Sequence, residues 1–175
     1  MVNVVLVDDK DNQIGVEDKL KAHTGKGSLH RCISVFVFND KKQLLLQKRG
    51  KEKMLWPLYW TNTCCSHPAE SEGYEQAGQR RLEEEMGFSC LVKFIGKMQY
   101  EATYKDIGVE KEVCGVVVGK YNGEVNVNPS EADDYKWIDM DELKEDVKNN
   151  SDKYTPWFKL YLEKFFKDSD ATKRN

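Results

Sequence analysis

His30 to Phe38 is the stretch that most limits what this chain can become. Its residues alternate as in a strand, yet both sets are suited to an interior: Ile33, Val35 and Val37 on one side, Ser34, Phe36 and Phe38 on the other. A strand of that kind lies inside a sheet that is covered on both faces. The turn residues Asn39-Asp40-Lys41-Lys42 follow, and Gln43 to Arg49 reads as the second strand of a hairpin.

The elements around this hairpin are read from the same signals. Val2 to Val7 is expected as a strand, ended by the turn residues Asp8-Asp9-Lys10-Asp11-Asn12, and Glu17 to His23 as a short helix. Residues 50–73 show neither period but concentrate Trp56, Pro57, Trp60, Cys64, Cys65, His67 and Pro68, and a loop this long in a small domain is usually functional. Tyr74 to Met86 reads as a helix closed by Gly87, with Leu82 and Met86 on one face. Val92 to Tyr104, Val109 to Lys120 and Tyr135 to Ile138 read as strands. Asp139 to Asn149 and Pro156 to Lys167 read as closing helices, the second with Pro156 in its first turn, and 168–175 as a disordered tail.

Composition excludes several function classes. A chain of 175 residues with 39% hydrophobic residues builds one core, so a single domain over 1–175 is expected. Its 27 basic and 30 acidic residues are mixed along the chain, which leaves no extended basic surface for nucleic acid. No stretch approaches the ~20 apolar residues that cross a bilayer, and Met1 to Lys10 lacks the pattern of a signal peptide. The five cysteines, Cys32, Cys64, Cys65, Cys90 and Cys114, are odd in number and unevenly spaced, which fits a reducing cytosol better than a disulfide framework. The expectation is cytoplasmic.

Chemistry is carried by a few side chains. The three histidines, His23, His30 and His67, meet only if the fold brings them together; unrelated surface or core histidines would have the same spacing. Glu110 and Glu112 are two apart in a strand, so both carboxylates share a face, and such a pair repels unless a cation lies between. A solvated acidic edge is the alternative. Three imidazoles and two carboxylates would suit manganese, zinc or magnesium. On the helix, Glu85 follows Arg81 by four residues, as in an exposed ion pair or as a carboxylate that holds magnesium on a diphosphate. Lys19, Arg49 and Lys53 are further candidates for a phosphate cluster.

Taken together, these motifs resemble the type I isopentenyl-diphosphate isomerases. His23-Thr24 through Leu29-His30, Trp60-Thr61-Asn62-Thr63 through Cys65-Ser66-His67-Pro68, the Arg80 to Gly87 helix, and Tyr100 followed by Glu110 and Glu112 match in order and spacing, from Val4 to about Phe166. The helix also resembles a degenerate Nudix box through Arg80, Leu82, Glu84, Glu85 and Gly87, with Arg81 where a hydrolytic box has glutamate and Ser66 where its leading glycine would lie.

The resemblance implies a Nudix-type α/β/α sandwich with a mixed sheet, helices on both sides and the site at one mouth. It implies interconversion of isopentenyl and dimethylallyl diphosphate, with small-molecule isoprenoid diphosphates as partners and a monomer or weak homodimer. It assigns His23, His30, His67, Glu110 and Glu112 to one divalent metal (Mn2+ or Zn2+), and Glu85 with the Cys65 backbone carbonyl to Mg2+. Lys19, Arg49, Lys53 and Arg81 would take the diphosphate, and Cys65, Glu112, Tyr100 and Trp157 the reacting hydrocarbon. Counting back from His67-Pro68 puts the reactive cysteine at Cys65, and an extended segment points Cys64 the other way. Two other readings stay open: a Nudix-type diphosphate hydrolase, and a non-catalytic domain around a structural zinc.

Overall fold

The computed structural model describes residues 2–167, so the tail expected over 168–175 lies outside the described residues. β3 (His30–Phe38) is the axis of the sheet. Along one side it pairs in parallel with β8 (Gly108–Lys120), from His30 opposite Glu112 to Phe38 opposite Lys120, and β7 (Val92–Tyr104) runs antiparallel beyond β8. Along its other side three strands take turns: β1 (Asn3–Val7) at His30, β6 (Cys64–Ser66) at Ile33 to Val35, and β4 (Leu44–Arg49) at Phe38. β4 pairs further with β9 (Ala132–Ile138) and with β5 (Trp60–Thr61), while β2 (Gln13–Asp18) pairs with β1. One parallel pairing among antiparallel ones makes the sheet mixed, as expected.

Both faces of β3 are buried, by different layers. Ile33, Val35 and Val37 pack with Leu82 and Met86 of α2 (Tyr74–Met86). Phe36 and Phe38 pack with Trp157, Phe158, Tyr161 and Leu162 of α4 (Pro156–Phe165), and Leu143 of α3 (Met140–Asn149) joins them. Each large apolar side chain so removed from water stabilises the fold by roughly 1.5–3 kcal/mol before its entropy cost. α2 spans the residues read from sequence and ends at Gly87 with φ 72°, where an added Cβ would come within 2.4 Å of the Asn126 carbonyl oxygen. No helix among the described residues is long and apolar enough to cross a membrane.

Three expectations are corrected. First, the β3–β4 hairpin closes with only the Phe38 to Leu44 pair. The chain at 60–66, expected as an irregular loop, forms β5 and β6 and wedges the two strands apart. Inside the wedge the Thr63 hydroxyl donates to the Leu45 carbonyl at 2.7 Å and accepts the Val37 N–H at 2.9 Å, replacing ladder bonds the separation removes. Second, the helix expected over 17–23 is only α1 (Lys19–Ala22), because Asp18 caps Lys21 N–H and 13–18 is the edge strand β2. Third, Cys32 and Cys114 are not free: they face each other across β3 and β8 and are joined as a disulfide, leaving Cys64, Cys65 and Cys90 as thiols.

Candidate active site

Strand register assembles the histidine cluster. The parallel β3–β8 pairing sets His30 opposite Glu112. β6 runs antiparallel to β3 with Ser66 opposite Ile33, so the chain leaving Ser66 heads toward the His30 end and delivers His67 there. α1 ends at His23, whose backbone carbonyl accepts the Val109 N–H at 2.9 Å and thereby docks this turn on β8. One ligand atom each from His23, His30, His67 and Glu112 lies within 4.8 Å of all the others. Glu110 joins through His23, with Oε2 3.1 Å from Nε2.

The nitrogens are oriented for a cation. His23 Nδ1 lies 2.7 Å from the Lys19 carbonyl and His30 Nδ1 2.7 Å from the Ser28 carbonyl, so each Nδ1–H donates outward and each Nε2 faces inward. The two Nε2 atoms of His30 and His67 stand 3.2 Å apart, and Glu112 Oε1 lies 3.3 and 3.1 Å from them. Burial pushes the His67 imidazolium down to about 3, which leaves that ring neutral. Burial would raise Glu112, but hydrogen bonds from His30 and His67 hold it well below the usual carboxylate range. Three inward-facing imidazole nitrogens around a carboxylate form a donor set that fits a divalent metal.

This cluster forms one wall of a cavity of about 320 Å³ on the α4 face of the sheet, whose lining includes Cys65, Tyr100, Trp157, Arg49 and Lys53. Tyr100 stands opposite Glu112 in the β7–β8 register and donates its hydroxyl to Glu112 Oε2. Cys64 and Cys65 point to opposite sides of β6: Cys64 packs with the aliphatic layer under α2, and Cys65 opens into the cavity. The Cys65 thiol donates to Asn62 Oδ1 at 3.1 Å and lies 3.2 Å from Ser34 Oγ. Asn62 cannot turn its oxygen away, since its amide hydrogens are used on the Val35 and Cys64 carbonyls. Burial pushes the Cys65 thiol up to about 12. Trp157 is fixed from its edge by Nε1–H donation to Thr61 Oγ1 at 3.1 Å, and the Arg49 guanidinium carbon sits 5.3 Å from its ring centre. Asn62 and Thr63 entered the sequence reading only within the Trp60-Thr61-Asn62-Thr63 match and Ser34 only as a strand residue, with no role in the site assigned to any of them.

The remaining residues read from sequence gather around α2. Glu85 is 1% exposed; Oε1 accepts from Arg81 at 3.0 and 2.6 Å, and Oε2 from Gln47 Nε2 at 3.0 Å. Arg81 also contacts Glu84 and, at 3.1 Å, Glu131. Lys19, Arg49 and Lys53 line the cavity, whereas Arg81 and Glu85 are not part of its wall. Lys53 reaches Arg81 through a shared partner, Glu131.

The chain resembles known proteins in sequence and in fold. Residues 28–158 match the NUDIX domain family. The chain is 42% identical to "Isopentenyl-diphosphate Delta-isomerase 1" of Photorhabdus laumondii, over 91% of this chain and 92% of that protein. It is 39% identical to the protein of the same name from Aromatoleum aromaticum, over 97% of each. It is 34% identical to "Isopentenyl-diphosphate delta-isomerase" of Schizosaccharomyces pombe, over 92% and 80%. In fold it resembles DR0079 of Deinococcus radiodurans, with TM-score 0.69 at 16% identity over 85% of this chain and 90% of that one. The MutT protein of Methanosarcina mazei Go1 gives TM-score 0.65 at 17% identity, over 84% and 96%.

Proposed function

The chain belongs to the NUDIX domain family and, within it, to the isopentenyl-diphosphate Delta-isomerases, and from that membership we propose that it interconverts isopentenyl diphosphate and dimethylallyl diphosphate. The observation that carries the reading is a thiol and a carboxylate, Cys65 and Glu112, lining one largely apolar cavity with an indole and with cations suited to a diphosphate.

The reaction adds a proton to C4 of the alkene, whose π pair forms the new C–H bond and leaves a cation at C3. Loss of a proton from C2 returns that C–H pair as the C2–C3 double bond, so the net change is an allylic shift. Cys65 and Glu112 are the proton-transfer pair. The raised thiol pKa keeps the Cys65 proton in place until substrate is bound, and Asn62 Oδ1 aims it. Tyr100 donates to Glu112 and restrains the carboxylate beside the carbon skeleton. Trp157 offers its π face to the charge developing at C3, a contact worth about 2 kcal/mol or more when desolvated. The attraction of Arg49 to the same ring gives that reading support. Exclusion of water by the aromatic layer keeps the cation from being trapped as an alcohol.

A divalent metal, Mn2+ or Zn2+, on the histidine cluster would fix the charge and orientation of Glu112, and Mg2+ held by Glu85 would supply positive charge for the diphosphate. The inward-facing imidazole nitrogens support the first site. The buried carboxylate of Glu85, now engaged by Gln47 and Arg81, is the group that would hold the second. A cytoplasmic setting keeps the Cys65 thiol reduced; the Cys32–Cys114 disulfide is the feature that pulls the other way.

The test is a proton spectrum of isopentenyl diphosphate incubated in heavy water with the protein, magnesium and manganese. Dimethylallyl signals with deuterium uptake are expected, and Cys65→Ala should abolish them. An unchanged spectrum, or phosphate release in place of isomerisation, would overturn the reading.

A further inference from the structure

We propose that Glu131 is a positioning residue that gathers Lys53 and Arg81 into one diphosphate clamp, an inference that rests on the isomerase reading for the identity of the anion. No motif in the sequence singles out Glu131. It precedes β9, at the end of a turn that the fold pins to α2: Asn128 N–H donates to the Glu85 carbonyl at 2.9 Å and its side-chain amide to the Glu84 carbonyl at 3.2 Å. From there the carboxylate gives one oxygen to each of two cations. Oε1 accepts from Arg81 Nη2 at 3.1 Å and Oε2 from Lys53 Nζ.

Those cations come from separate elements, Arg81 from α2 and Lys53 from the turn after β4, and Glu131 is their common partner among the described ion pairs. Its backbone reinforces the same arrangement. The Glu131 carbonyl accepts the Gly50 N–H at 2.9 Å, and Gly50 in turn accepts from Lys53 N–H at 3.1 Å, so the turn carrying Lys53 is moored to this one residue. The approach is close: a Cβ on Gly50 would stand 3.0 Å from the Glu131 oxygen.

Two cations aimed at one place repel, and Lys53 has a long flexible stem with no other side-chain ion pair among the described residues. A carboxylate shared between them offsets the repulsion and restricts both side chains before ligand arrives, so less freedom is lost on binding. A diphosphate, with several anionic oxygens, can bridge the same two cations. Glu131 contacts neither the thiol nor Glu112, so its effect belongs to binding and not to proton transfer.

The experiment uses the full protein and inorganic pyrophosphate as probe. Calorimetry with magnesium should show Glu131→Gln binding pyrophosphate about tenfold more weakly than the parent, with Glu131→Asp, which keeps the charge on a shorter stem, in between. In isomerisation, KM should rise by a similar factor while kcat stays within about twofold. Lys53→Met combined with Glu131→Gln should weaken binding by less than the product of the two single effects, since both break the Lys53 link and only the Arg81 link remains for the second change to break. Melting temperature and metal content report that the variants are folded, and Glu131→Asp carries the comparison if Glu131→Gln melts early. Parent-like or tighter pyrophosphate binding in Glu131→Gln, or a loss confined to kcat, would overturn the proposal. Weakened binding in a protein that shows no isomerisation would leave the clamp standing and remove only the isomerase reading.

Discussion

The two regions that would attract a cation are built on opposite principles. At the His30 end of β3, short side chains on paired strands and a docked turn bring three imidazoles and a carboxylate together. Around α2, long side chains neutralise one another: Glu85 is engaged by Arg81 and Gln47, and Arg81 by three carboxylates. A stiff sheet can hold such a cluster in place because register fixes where each group begins. Flexible stems cannot, and collapse onto internal partners until a ligand competes for them.

The sharpest way to break this contrast is to remove one ligand from each region. His67→Ala should lower affinity for the divalent metal of the histidine cluster by about 100-fold or more, with turnover falling alongside, read by elemental analysis after dialysis against a chelator. Glu85→Gln should leave that metal content unchanged and raise only the magnesium concentration needed for substrate binding. If Glu85→Gln strips the histidine metal as effectively, the two regions are one centre and the contrast is void.

A somewhat smaller effect should appear in the metal-free protein as pH falls. The folded pKa of His67 is depressed by burial to about 3, below its unfolded value near 6.5. Between those values the unfolded chain binds more protons, so this contribution to stability is intact above pH 6.5 and is lost as pH falls toward 3. At pH 5 the penalty is about 2 kcal/mol, measurable by denaturant unfolding of the parent against His67→Asn. His23, whose pKa burial would lower but Glu110 raises, contributes stability that is already fully present below pH 6.5 and is lost only at higher pH, and it is common to both proteins, so the difference isolates His67. Parallel pH curves would mean that His67 is hydrated in solution and the cluster is not preassembled.

The smallest effect is expected on the α2 side. Cys64→Val should change stability by less than about 1.5 kcal/mol, as a near volume-conserving apolar swap, because Cys64 packs among Val35, Leu82 and Met86. Turnover should stay within about twofold. A large loss of turnover in the folded variant would place the reactive thiol on the other face of β6.

What was legible in the sequence was periodic or punctuated. α2 and β7 were read to the residue, since one has a helical stripe and a glycine stop and the other a long strand pattern between turns. β2 was missed because Gln13–Asp18 is a short edge strand with only Ile14 and Val16 as apolar positions, both exposed. β5 and β6 were missed because segments of two and three residues take their conformation from β4 and β3. The wedge in the hairpin, and Thr63 as its substitute for ladder bonds, depend on that same long-range pairing. In the site, His23, His30, His67 and Glu112 were found by motif resemblance, and the structure brings them together. Arg81 stands apart from the cavity wall with its guanidinium on Glu84, Glu85 and Glu131; the i,i+4 spacing offered the Glu85 pair, whereas the Glu131 contact is long-range and spacing does not reveal it. Glu131 and the Cys32–Cys114 pairing share one cause of invisibility: their partners lie 50 or more residues away.

The parallel pairing of β3 with β8 also bears on the order in which the molecule can be made. His30 and Glu112 are neighbours only once segments some 80 residues apart have found their register, and such distant closures are the slow, entropically expensive ones. Before that event a growing or refolding chain can offer a metal its histidines but neither Glu110 nor Glu112. A chain whose full ligand set has come together has therefore already solved its topology.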